Sequence, residues 1–156
     1  EGPSHSEIIL ADEQIYLVET HTRVGGDCIP DLVKYATGFD LYELIGRQAC
    51  REELDLSYDR EQAQIRASAI WYLAPSYDKS QTIVSTPDMK KVSQQEGIKG
   101  CQLIKNVGDS IGKLNHSFDR LLYVITTGKD ESEAIFRARS SLDSLAFGLE
   151  PEQEVV

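Results

Sequence analysis

GPSHSEIILADEQIYLVETHTRVGGDCIPDLV, residues 2–33, is the stretch whose reading decides the fold. Two apolar, β-rich runs, Ser6–Leu10 and Gln14–Thr20, flank Ala11-Asp12-Glu13, which is the pattern of an antiparallel hairpin. Side chains two apart on a strand share a face. Glu19, His21 and Arg23 therefore share one face if the extended path runs on to Arg23, and the hairpin brings Glu7 beside Glu19. Two adjacent carboxylates repel, at a cost of several kcal/mol where solvation is poor. A divalent cation removes that cost. Hard oxygen ligands suit Mg²⁺, which takes one or two protein carboxylates and completes its shell with phosphates. A guanidinium two residues on has the planar fork to grip a phosphoryl oxygen or an acyl carboxylate. A plainer reading stands beside this one. Glu19 and Arg23 as a surface ion pair would be worth under about 1 kcal/mol, Glu7 would be an exposed strand residue, and His21 a structural histidine.

Outward from this hairpin, Pro30–Thr37 reads as a short helix closed by Gly38. Asp40 is placed to cap a second helix over Leu41–Glu53, with Leu41, Leu44, Ile45 and Ala49 on one face. Residues 55–64 are polar and read as a linker, which ends a first domain at residue 54. In the second half, Ile65–Ala74, Gln81–Ser85, Ile98–Lys105 and Arg120–Thr127 read as strands. Pro87–Gln95 and Lys129–Leu145 read as helices, the latter opened by Asp130 and closed before Gly148. Residues 65–149 form a second domain, and 150–156 an acidic tail expected to be loose. Strands and helices mix without strict βαβ alternation, so the fold class is α+β.

With 26 acidic against 16 basic residues, a formal charge of −10, the chain lacks the basic surface that displaces counterions from nucleic acid. Binding a nucleotide through a metal and a few local cations stays open. Cys28, Cys50 and Cys101 are odd in number, far apart and without a CxxC pair. They fit neither a structural zinc site nor a disulfide framework, and point to free thiols in a reducing cytoplasm. No apolar run is long enough to span a bilayer and no signal peptide is visible. No membrane partner is expected.

On its Glu7, Glu19, Arg23 and Gly25-Gly26 pattern, the opening stretch resembles the end of an ATP-grasp domain, where many members carry Asn in place of His21. DLVKYATGFDLYELIGRQACREE resembles the two-helix segment that follows. ASAIWYLAP and KNVGDSIGKLNHSFDRLLYVITTGKDESEA resemble the small α/β-mixed C-terminal domain of the L-amino acid ligase group. Arg120, Tyr123-Val124-Ile125, Gly128 and Ala134 stand at that group's characteristic places, and Leu122 where Gly is common. The resemblance implies a carboxylate–amine ligase that uses ATP and Mg²⁺, with Mn²⁺ as the alternative ion, through an acyl phosphate. It implies Glu7 and Glu19 as metal ligands and Arg23 as the catalytic contact to the transferred phosphoryl group. It also implies Arg23, His21, Gly25 and Gly26 as nucleotide contacts. His5 is placed to face the carboxylate or amine substrate or to serve structure. Asp27 is placed to receive an amino group or to cap the helix at Pro30. The implied partners are small-molecule substrates and the N-terminal remainder of the same enzyme, with a homodimer left open. The lysines and Gly-rich loop that clamp ATP in such enzymes come from earlier segments, so the chain is expected to be a piece of something longer and inactive alone. Two readings compete: a non-catalytic interaction or structural domain derived from such a protein, and a biotin-carboxylase-like branch.

Overall fold

The computed structural model describes residues 2–59, 61–143 and 145–152. The chain divides into two compact units, residues 1–64 and 65–156.

In the first unit, strands β1 (His5–Ala11) and β2 (Gln14–His21) pair antiparallel. The two residues between them, Asp12 and Glu13, both have positive φ (50° and 59°), as a type I′ turn requires. Helix α1 (Ile29–Thr37) carries Pro in its first turn, where a missing N–H costs little. It stops at Gly38, whose φ of 84° turns its N–H back onto the Lys34 carbonyl at 2.8 Å. Helix α2 (Leu41–Ala49) starts where the Asp40 carboxylate accepts from the N–H groups of Tyr42 and Glu43, at 3.0 and 3.2 Å. The helix expected to run to Glu53 ends at Ala49. Arg51 adopts φ 60°, and the Glu52 N–H folds back onto the Arg47 carbonyl at 3.1 Å. The Arg47 guanidinium, 2.9 Å from the Glu52 carboxylate, holds that closure.

The second unit holds two antiparallel sheets. One has the order β3 (Ala67–Leu73), β7 (Leu122–Gly128), β5 (Ile98–Leu103); the other has β6 (Ser110–Ile111), β4 (Gln81–Ser85), β8 (Gly148–Pro151). Helices α3 (Met89–Ser93) and α4 (Glu131–Asp143) pack on the first sheet. The α+β class read from the sequence is the class observed. Val92, Leu122, Val124, Ala138 and Leu142 form one core, and Ile83, Ile111 and Leu121 a second. Buried Thr126 donates to the Ala134 carbonyl at 2.6 Å, tying β7 to α4. Two short strands escaped the sequence reading. β6 has only two residues, and β8 lies partly in the tail expected to be loose. Glu150 and Pro151 instead pair with Thr82 and Gln81. The rest of the tail, residues 153–156, falls outside the described residues. Cys28, Cys50 and Cys101 are free thiols, as expected. Among the described residues no helix is long and apolar enough to cross a membrane.

Candidate metal and phosphate site on the first hairpin

The turn alone would not oppose the two glutamates. From it outward, Ala11 faces Gln14, Leu10 faces Ile15 and Ile8 faces Leu17. Continued unbroken, that register would set Val18 against Glu7. The register shifts by one residue between Glu7 and Ile8, so that Glu7 faces Glu19, Ser6 faces Thr20 and His5 faces His21. A β-bulge of this kind leaves one residue unpaired and re-aims those beyond it. Directly opposed residues share a face and successive ones alternate. His5, Glu7, Glu19 and His21 therefore stand on one face of the hairpin end. Ser6 and Thr20 lie on the other, with their hydroxyls hydrogen-bonded.

The two imidazoles stack, centroids 6.5 Å apart and planes within 9°. His21 Nε2 lies 3.1 Å from Glu19 Oε1. The His5 ring is seated by a glycine. Gly25 is buried, and a Cβ there would lie 2.7 Å from Ile29 Cδ1 and 3.1 Å from His5 Cδ2. At Gly26 an added Cβ would meet nothing within 4 Å. The two glycines thus differ. Gly25 lets the start of α1 and the His5 ring come close, and Gly26 leaves its backbone open. His5 Nδ1 is buried with no hydrogen-bond partner, a state that calls for an explanation in a native fold.

Two sequence expectations need correction. β2 ends at His21 and the chain bends at Thr22 and Arg23, so Arg23 does not continue the strand face that carries Glu19 and His21. Its guanidinium donates to the carbonyl of the next residue, Val24, at 2.9 Å. Asp27 is not the cap of α1. Cys28 occupies the N-cap position, both residues have positive φ (47° and 61°), and the Cys28 side chain makes no capping bond. Among the described residues no group of three or more His, Cys, Asp or Glu side chains stands as a complete metal cluster. The hairpin offers an opposed carboxylate pair.

Sequence alternation pointed to the opposed glutamates. It gave no sign of the bulge that aligns them, nor of the His5–Gly25 packing, which joins residues far apart in the chain. Elsewhere, Trp71 packs against the first core with the Arg139 guanidinium 4.6 Å over its ring. Arg120 lies 4.0 Å over Tyr72. In the loop at His116, to which the sequence assigned no role, the Asp119 carboxylate accepts from the backbone N–H groups of Asn115 and His116, at 2.8 and 3.0 Å.

No family model and no curated protein matches the sequence. Solved structures do. Over 94% of this chain and 37% of the other, the fold superposes on phosphoribosylglycinamide synthetase from Anaerococcus prevotii with a TM-score of 0.76 at 19% identity. L-amino acid ligase from Bacillus licheniformis gives a TM-score of 0.74 at 20% identity, over 95% of this chain and 36% of that one. The biotin carboxylase domain of 2-oxoglutarate carboxylase from Hydrogenobacter thermophilus, solved as a dimer with MgADP, ADP and bicarbonate, gives 0.60 at 20% identity, over 94% and 32%. The chain thus spans about a third of the length of each of these structures, and at such identities the likeness establishes the fold.

Proposed function

We infer, from a fold shared with ATP-grasp ligases, that this chain supplies one wall of an active site that joins a carboxylate, such as an amino acid, to an amine at the expense of ATP. The observation that carries the reading is the opposition of Glu7 and Glu19 at a bulge. An unneeded carboxylate pair facing across two strands would be destabilising. A Mg²⁺ ion removes that penalty, and two carboxylates are the usual protein share of its shell when nucleotide phosphates provide the rest. The donor set therefore fits Mg²⁺. When bound, the ion supplies charge neutralisation at the phosphoryl oxygens.

The chain's own residues do the remaining work. His21, 3.1 Å from Glu19, orients that carboxylate. Arg23 stands two residues beyond His21 in an exposed bend, and its guanidinium would exchange the Val24 carbonyl for a phosphoryl or acyl-phosphate oxygen. That exchange stabilises charge developing in the transition state. Gly26, unencumbered on its Cβ side, admits a substrate close to the backbone. His5 Nδ1, buried and unpaired, is offered as a contact to the carboxylate or amine, and Asp27 as the acceptor for an amino group. The hairpin itself supports a larger assembly. Ile8, Ile9, Leu10, Ile15, Tyr16, Leu17 and Val18 are all at least half exposed, on both faces of two strands. A hairpin that is apolar on both sides fits one packed inside a larger enzyme.

The test is kinetic. In the complete ligase, Arg23→Lys keeps the charge and loses the planar fork, so kcat should fall about 10²–10³-fold with little change in the Michaelis constant for ATP. Glu19→Gln should weaken Mg²⁺-ATP binding and be partly rescued by added Mg²⁺. ATP-dependent phosphate release across a Mg²⁺ titration separates the two. Near-normal turnover of Arg23→Lys, or equal rescue of both variants, would remove these roles.

A further inference from the structure

We draw no further inference here: the strongest candidate, the apolar pocket of about 370 Å³ that Phe39, Leu41, Leu44, Ile45, Leu54 and Leu56 line along α2 in the first unit, is an unpartnered apolar surface, and nothing in the structure shows what covers it.

Discussion

Gly25 and Gly26 stand side by side in the sequence, and the structure gives them opposite physics. A methyl group at Gly25 would press on Ile29 and on the His5 ring, whereas at Gly26 it would meet nothing. Gly25→Ala should therefore cost about 1–3 kcal/mol, as overpacking does. It should also shift the imidazole resonances of His5 and His21, because their stack rests on that seat. Gly26→Ala should leave both the unfolding midpoint and those resonances close to wild type. Thermal melts and histidine side-chain NMR spectra of the two variants make the comparison. If Gly25→Ala matches Gly26→Ala, the seating of His5 is misassigned. At this scale the sequence was partly legible. Alternation put Glu7 and Glu19 on facing strands, but one residue of bulge decides whether they meet, and the extension of the strand face to Arg23 failed because the chain bends at Thr22. Such single-residue departures arise from packing, which periodicity does not encode.

At the scale of elements, two devices hold helices in place. Gly128 ends β7 just ahead of α4. A Cβ there would lie 2.9 Å from the Asp130 carbonyl oxygen and 3.0 Å from Glu133 Cβ, with the Ala134 backbone nitrogen closer still. These neighbours are mostly backbone and cannot swing aside, so Gly128→Ala should lower stability by at least about 1–3 kcal/mol. Gly112→Ala, whose nearest neighbour would be Ser80 Oγ at 3.5 Å, should be tolerated. Denaturant melts monitored at Trp71, which lies in the same unit, read both; equal midpoints would refute the steric reading. The second device is Asp40. Its hydrogen bond from Lys34, at 2.7 Å, and its acceptance of the Glu43 and Tyr42 N–H groups hold its carboxyl below the usual carboxylate range. Because the folded-state value is the lower one, this contribution is complete above the unfolded carboxylate pKa and is lost as pH falls through the folded value. Amide protection in α2 should therefore decline on acidification below the ordinary Asp range. Asp40→Asn, which keeps a capping oxygen but no charge, should flatten that decline. An unchanged pH profile in Asp40→Asn would place the titrating group elsewhere. The long periodic segments and the Asp40 cap were legible in the sequence, whereas an Asp27 cap and the run of α2 to Glu53 were not what the chain adopts. β6 and β8 were not legible, because a two-residue strand and a strand that ends in Pro carry no periodic signal.

For the whole molecule, the telling feature is apolar surface on the first hairpin, and its seven exposed side chains outnumber the apolar residues that α4 shows to solvent. Replacing Leu10 and Leu17 by Thr should sharply reduce binding of a hydrophobic dye. It should move stability by no more than about 0.5 kcal/mol per site, as for exposed positions that make no buried contacts. A large loss of stability would show that those side chains already hold the unit together. The same hairpin carries the central functional claim, that Glu7 and Glu19 jointly hold a divalent ion. That claim can be tested on this chain without any catalytic assay. Substoichiometric Mn²⁺, with and without ATP, is added to the ¹⁵N-labelled chain, and paramagnetic broadening is mapped residue by residue. Broadening should centre on the strand ends around Glu7 and Glu19, and should fall away in Glu7→Gln and in Glu19→Gln alike. Broadening centred on other acidic residues, or persisting at the hairpin when either glutamate is replaced, would contradict the metal site and the function built on it.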